Sequence, residues 1–328
     1  YVSEVNPKPW WPVYRILRCD PKLFDKDLSG RTYVVTGANS GVGLETTRQL
    51  TRQGAHVVMG CRRVEAGQAA ASTMAEEKGS TEVIALDLAD LASVRAFADA
   101  VIATHDHLDA LVNNAGVMTT ADAKTQDGFE LQFGTNHLGH FLLTERLLDT
   151  LKASAPARIV ILSSVVHAGS PKDRVSLNFD DLMWTQREYK GSRAYAESKL
   201  ANLLYAKELA KRLEGTGVTA VSAHPGWVRS NLAAGMMPVW IQNVIMAPLS
   251  PLLTMMNSQD GAQTSLHCLL DDEVPNHPGA YYSQNSLLYA DKECRPGGWP
   301  LRSPNPEAHD EAAAQRLVQV SRELVGLA

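Results

Sequence analysis

The stretch RTYVVTGANSGVGLETTRQL, Arg31 to Leu50, decides the fold. It opens as a short β-rich run, turns through TGANSGVG, and continues as a helical pattern closed by Gly54. Gly37, Gly41 and Gly43 are spaced G-x-x-x-G-x-G, unlike the G-x-G-x-x-G of another nucleotide-binding fingerprint. The physics is shared. Glycine lets the turn adopt positive φ and brings backbone N–H groups against a pyrophosphate at the helix N-terminus. A glycine-rich turn alone says little, but one bracketed by an apolar strand and a helix points to nucleotide binding. Its candidate contacts are Gly37, Asn39, Ser40, Gly41, Val42 and Gly43.

The same alternation runs outward along the chain. AHVVMGC, TEVIALD, LDALVNNAG, ARIVILSS and VTAVSAHPG read as strands two to six. Val64–Lys78, Leu91–Thr104, Phe129–Leu151 and Tyr195–Leu213 read as helices between and after them. Runs such as RIVIL suit strands buried on both faces. Strands alternating with helices predict an α/β, Rossmann-type, doubly wound parallel sheet flanked by helices. The expected organisation is one domain over 28–328, with an N-terminal extension over 1–27 and a lid at about 231–258. A last helix within HDEAAAQRLVQVSRELVGL is expected to cover a sheet edge.

The end of the second strand should read the adenosine ribose. An acidic residue there would bind the 2′-hydroxyl of NAD, but the stretch is MGCRRVEAG, with no carboxylate before Glu65. Arg62 and Arg63 offer planar forks suited to a phosphate, which favours NADP(H). Asp87 and Leu88, in ALDLAD, fall at the adenine edge, with Asn113, Asn114, Ala115 and Gly116 forming the wall beside it. Further on, RAYAESKLANLLYAKEL places Tyr195 and Lys199 four residues apart on one helix face. A phenol titrates near ~10, too high for proton transfer at neutral pH, and a nearby positive charge lowers that value. A lone Y-x-x-x-K is more often a solvated lysine beside a half-buried tyrosine, so the remaining motifs must decide.

Taken in order, Thr36 to Gly43, Asn113 to Gly116, Ser164 and the Tyr195/Lys199 pair resemble the short-chain dehydrogenase/reductase superfamily. GCR at Gly60, NHLGHFLLT from Asn136, SKLANLLYAKELAKRLEGTGV from Ser198 and GAQTSLHC from Gly261 resemble its retinol dehydrogenase-like group. The resemblance covers roughly Leu28 to the C-terminus. It implies a catalytic tetrad of Asn136, Ser164, Tyr195 and Lys199, with Ser164 rather than Ser163 as the serine. Tyr195 would be the proton donor or acceptor, Ser164 would hold the developing oxyanion, and Asn136 would hold a water. Lys199 would lower the phenol's pKa and bind the nicotinamide ribose. Pro225, Gly226, Val228 and Ser230 would contact the carboxamide, with Trp227 and Arg229 narrowing the pocket. The long loop from Val165 to Arg193 would wall the site.

Composition narrows the partners. The chain has 328 residues, 45% hydrophobic and 20% charged, with a formal net charge of −5. That balance suits a globular protein and gives no sign of a nucleic-acid surface. Four scattered cysteines, without C-x-x-C or finger-spaced histidines, argue against a zinc finger and a disulfide framework and suit an intracellular, reducing compartment. No metal is expected. Tyr1 stands first rather than Met, as expected of a trimmed N-terminus ahead of which a targeting segment has room. Between Arg229 and Asp260 there is no charge, yet Pro238, Pro248 and Pro251 interrupt LAAGMMPVWIQNVIMAPLSPLLTMM, so it reads as a lid and not a membrane span. Met236, Met237, Trp240, Ile241 and Met246 would line a pocket for a lipophilic aldehyde or ketone. The Trp- and Pro-rich N-terminus, with Trp10 and Trp11, suits packing on the body or contact with a membrane surface or protein assembly. A nucleotide-holding accessory subunit with little turnover is the competing functional reading.

Overall fold

A computed structural model describes residues 14–119, 121–228 and 255–327. Seven parallel strands form the main sheet. In chain order they are β1 (Thr32–Thr36), β2 (His56–Cys61), β3 (Ser80–Ala85), β4 (Ala110–Asn113), β5 (Ala157–Leu162), β6 (Val218–His224) and, after two short strands, β9 (Tyr281–Ser283). Their order across the sheet is β3-β2-β1-β4-β5-β6-β9. The order reverses between β1 and β4, and ligands of open parallel sheets bind at that crevice, beyond the strands' C-terminal ends. The central strands are buried on both faces, which explains their unbroken apolar runs.

Two helical layers cover the sheet. On one face lie α1 (Gly41–Arg52), α2 (Val64–Ser72) and α6 (Ser258–Leu270), packing Val42, Leu50, Ala70 and Leu266 against Val35, Met59 and Val112. On the other lie α3 (Leu91–Thr104), α4 (Gly139–Ala153) and α5 (Gly191–Arg212), with Phe97, Phe141, Leu200 and Tyr205 against Val34, Leu111 and Ile159. Polar caps start several of these helices. Asp90 accepts from Ala92 N and Ser93 N at α3, and Asn257 accepts from Asp260 N at α6.

Five features depart from the sequence-based expectation, the first being that α2 ends at Ser72 and not at Lys78. β9 adds a seventh strand, and α5 begins at Gly191, four residues earlier than expected. The expected helix over Phe129–Leu151 is broken into a turn at Leu131–Phe133, a π turn at Gly134–Leu138, and α4. The last helix, α7 (Glu311–Leu324), covers no sheet edge. It packs along α5 and the π turn: Ser321 Oγ meets His137 Nε2 at 2.9 Å, and Leu317 joins the same core as Tyr205. An amphipathic helix reveals that it has a buried face, not what that face meets.

The extension is described from Tyr14 onward. There it is bonded to the body, with Leu17 N and Leu17 O pairing to the Gln284 amide at 2.6 and 2.8 Å. Cys19 and Leu23 are buried in the core beneath α1 and α6. Trp10, Trp11, Ser230 and the lid from Asn231 to Thr254 lie outside the described residues. The chain meets itself on either side of residues 229–254, since β7 (Trp227–Val228) pairs in parallel with β8 (Met255–Met256). Among the described residues no helix is long and apolar enough to cross a membrane.

Candidate active site

The glycine turn sits where β1 hands over to α1. Gly37 and Gly41 take φ of +65° and +59°, a region that L side chains rarely adopt. At Gly43 the constraint is space: a Cβ would lie 2.5 Å from both Asn114 Nδ2 and Gly37 O. Ser40 enters α1 in extended conformation and makes no side-chain cap, so the helix presents its first N–H groups uncapped. A bare turn against an uncapped helix start fits a dinucleotide's pyrophosphate.

Thr36 ties this turn to the wall beside it. Its hydroxyl accepts from Asn114 N at 2.9 Å and Ala115 N at 3.0 Å, and lies 2.9 Å from His140 Nε2. The tautomer follows from the other ring nitrogen, since His140 Nδ1 lies 3.0 Å from the Asn136 carbonyl, which can only accept. Nε2 is then the acceptor and Thr36 donates to it. Burial holds His140 neutral by pushing its pKa down to about 3. Replacing Thr36 with valine orphans Ala115 N and the buried His140 Nε2, while Asn114 N keeps Val112 O at 3.0 Å, and should cost roughly 2–3 kcal/mol. Chemical denaturation of Thr36→Val measures this, and a loss below about 0.5 kcal/mol would refute the hub. Sequence reading missed both Thr36 and His140, although His140 stands four residues after Asn136.

Arg62 and Arg63 follow the last residue of β2, beside the glycine turn, where Gly37 N donates to Gly60 O at 2.8 Å. Both guanidinium groups are exposed. Asp87 accepts from Ala89 N at 2.9 Å, which shapes the loop after β3, and Leu88 is buried against Gly139. Gly116 continues the wall past Ala115. Opposite, Gly261 of α6 packs where a Cβ would lie 2.4 Å from Val228 Cγ2 and 3.1 Å from Val42 Cγ2. The Pro225–Val228 turn is thereby set against the start of α1, with Gly226 at φ +89° under Met256.

The expected tetrad divides between two elements and a turn. Tyr195 and Lys199 lie buried on α5, with the Lys199 Nζ 5.7 Å from the Tyr195 ring centroid. Ser164, just past β5, hydrogen-bonds to the Tyr195 hydroxyl. Its neighbour Ser163 points away and donates to Lys199 O at 2.7 Å, which favours Ser164 as the working serine. Lys199 Nζ donates to Leu162 O at 3.1 Å, a carbonyl that also accepts from Asn202 Nδ2 at 2.9 Å. The Val165–Arg193 loop braces the start of α5: Arg187 and Arg193 both reach the buried Glu197.

Two expectations about these groups change. Burial outweighs everything else acting on the phenol, and the Tyr195 pKa is pushed up to about 12 with only the Ser164 hydrogen bond opposing. The same burial pushes the Lys199 ammonium down to about 8. The lysine therefore does not lower the phenol here, because loss of solvent governs both groups. Asn136 also differs. Its Nδ2 donates to Val117 O and Ser198 Oγ at 3.0 Å each, and its Oδ1 accepts from Val117 N at 2.8 Å. With both N–H groups spent, its side-chain amide does not donate to a water; it fastens the wall after β4 to α5. The π turn aims it there, since Gly139 N bonds back to Gly134 O.

A cavity of about 930 Å³ lies elsewhere. It is lined by Lys207, Lys211, Pro275, Arg302 and His309 at the start of β6, the opposite end of the sheet from Tyr195.

Fold and site together define a nucleotide-binding α/β oxidoreductase. The short chain dehydrogenase family pattern matches residues 31–173. Retinol dehydrogenase 12 of Mus musculus is 42% identical over 92% of this chain and 88% of its own length. Dehydrogenase/reductase SDR family member 13 of Bos taurus is 43% identical over 96% and 78%. A crystal structure of an uncharacterized protein from Mycobacterium Paratuberculosis superposes with TM-score 0.70 at 37% identity, covering 92% of this chain and 95% of that one. A structure described as an NAD(P) dependent gluconate 5-dehydrogenase from Beutenbergia cavernae, with bound NADP, superposes at 0.62 and 25% identity over 78% and 96%. The chain belongs to the short-chain dehydrogenase/reductase superfamily, in its retinol dehydrogenase-like group. It is thus an oxidoreductase that uses a nicotinamide dinucleotide on an alcohol or carbonyl group.

Proposed function

We propose that this chain is an NADP(H)-dependent carbonyl reductase or alcohol dehydrogenase acting on a lipophilic, retinoid-like small molecule. The observation that carries the reading is the buried Tyr195 phenol paired with the half-buried Ser164 hydroxyl, with Lys199 one helical turn away. The nicotinamide, when bound, supplies or accepts the hydride. In the reducing direction Tyr195 gives its phenolic proton to the substrate oxygen, and in the oxidising direction it takes the alcohol proton. A phenol at about 12 stays protonated at neutral pH, so it carries the proton that reduction needs but is a weaker acid than a free phenol. Ser164 donates a hydrogen bond to the oxygen as negative charge develops. Lys199 binds the nicotinamide ribose and holds positive charge behind the phenol. Asn136 keeps the Val117 wall and α5 in register. Gly37 to Gly43 hold the pyrophosphate, Asp87 and Leu88 the adenine, Asn114 to Gly116 the inner face, and Pro225, Gly226, Val228 and Ser230 the carboxamide.

The phosphate preference rests on Arg62 and Arg63. Both are exposed, and neither guanidinium forms a hydrogen bond or ion pair among the described residues. Charge-assisted bonds to a 2′-phosphate are worth roughly 1.5–3 kcal/mol each. Arg62→Ala should therefore weaken NADPH about 10- to 100-fold, and NADH hardly at all. Titration of both cofactors against both proteins checks this. A wild type that prefers NADH, or equal losses for both, would remove the phosphate clamp.

The lipophilic substrate is supported by the uncharged stretch between Arg229 and Asp260 and by the retinol named for several relatives. The uncharged lid and the N-terminal tryptophans also suit a membrane surface or an assembly as partner, in a reducing intracellular compartment. Turnover of the purified chain with NADPH on retinal, long-chain aldehydes and sugars tests the class. Firm NADPH binding without turnover on any of them would favour an accessory subunit instead.

A further inference from the structure

Far from the dinucleotide crevice, three elements bring two imidazoles and a carboxylate to one point. His56 opens β2, Glu82 lies in β3, and His105 caps the C-terminus of α3. The register pairs His56 with Ser80 and Val58 with Glu82. His56 and Glu82 therefore share a sheet face as diagonal neighbours, two residues out of step. That is the face α3 covers, and α3 ends by laying the His105 ring 5.2 Å from the His56 ring, centroid to centroid.

We propose that His56, Glu82 and His105 form a binding site for a zinc ion. Glu82 Oε2 lies 2.9 Å from His105 Nε2 and 3.7 Å from His56 Nε2, and all three ligand atoms fall within 4.8 Å of one another. A tetrahedral ion with bonds of about 2.0–2.1 Å needs its ligand atoms about 3.4 Å apart, inside that range. His56 is also prepared as a ligand. Its Nδ1 lies 2.8 Å from Ser80 Oγ, an outer hydrogen bond that orients the ring and, with Nδ1 as the donor in the metal-bound tautomer, frees the Nε2 lone pair for the ion. That Nε2 is shielded from solvent and has no hydrogen-bond partner. Two imidazoles and one carboxylate suit zinc far better than magnesium or calcium, which favour all-oxygen shells. Three protein ligands leave a fourth position for water. The residues are too far apart in sequence to show as a metal motif, so cysteine and histidine spacing could not reveal them.

Bound here, zinc would fasten the edge strand β3 and the end of α3 to β2. The site lies at the opposite end of β2 from Arg62, about 20 Å along the strand. The test is calorimetric titration of the full chain, freed of metal with EDTA, with zinc chloride. The same titration is run on the His56→Ala/His105→Ala double variant and on Glu82→Gln. The expected result is one zinc per wild-type chain, at least 100-fold weaker binding in the double variant, and NADPH affinity unchanged in all three. Unchanged NADPH affinity certifies that the variants are folded. Cobalt substitution of the wild type gives a second reading, independent of any variant: intense visible absorption bands are expected of a tetrahedral site. Absence of zinc uptake by the wild type, equal affinity in the double variant, or only weak octahedral cobalt absorption would each overturn the assignment.

Discussion

Tyr195→Phe should lower kcat/KM by about 10²–10⁴-fold, the range expected when a positioned acid or base is removed. Affinity for NADPH should stay nearly unchanged, because only one hydroxyl leaves. The ring stays packed, so the fold should hold as well. Single-turnover hydride transfer followed by NADPH absorbance, with cofactor binding measured separately, decides the matter. A rate within tenfold of wild type would show that another group moves the proton. Ser164 is the informative companion. Its hydrogen bond is the one influence that opposes burial at the phenol, so Ser164→Ala should raise the Tyr195 pKa further. Its rate loss should then combine a missing oxyanion donor with a less acidic phenol.

Lys199→Met should show the reverse pairing, lower activity with higher stability. The ammonium's pKa falls from 10.5 to about 8 in the folded chain because it is buried. Between those values the unfolded chain binds more protons than the folded one, so stability rises with pH across that window. Below about 8 the charge stays on and the full penalty applies. That penalty is roughly 3 kcal/mol, since each tenfold loss of proton affinity corresponds to ~1.4 kcal/mol. Methionine removes it and matches the lysine stem in length. Leu162 O keeps its bond from Asn202, so no acceptor is orphaned. The variant should therefore be more stable than wild type by roughly 3 kcal/mol at pH 7, with the gap closing by about pH 10.5. Urea unfolding at pH 7 and 10 measures it. A variant no more stable than wild type at pH 7, or a gap that widens with pH, would contradict a buried ammonium.

These two residues also mark what sequence carries and what it leaves out. The four-residue spacing of Tyr195 and Lys199 fixes that they share a helix face, and the structure agrees. It says nothing about how much solvent reaches that face, and solvent loss sets the sign of both pKa changes. The glycine turn was legible because positive φ and close approach both demand glycine, which leaves a mark in the letters themselves. That Arg62 follows the end of β2 was legible for a related reason: the end of an apolar strand is visible as a change in composition. The π turn at Gly134–Leu138 leaves no such mark, and Asn136 read as one more helical residue. β9 is three residues long, too short for any alternation to register. His56, Glu82 and His105 meet only through strand register and the length of α3, which no local window contains.

The pairing of β7 with β8 has a bearing on how such a chain changes over time. Trp227 and Val228 leave the body beside the residues, Met255 and Met256, at which the chain returns. Whatever lies between is spliced in at a seam already closed by the backbone, and Gly261 holds that seam against α1. Lengthening a closed loop costs little, about 0.6 kcal/mol for each doubling. Insertions, deletions or wholesale exchange of residues 229–254 would then leave Tyr195, Ser164 and the glycine turn undisturbed. That stretch of sequence is an exchangeable cassette, which a lineage can vary without renegotiating its chemistry.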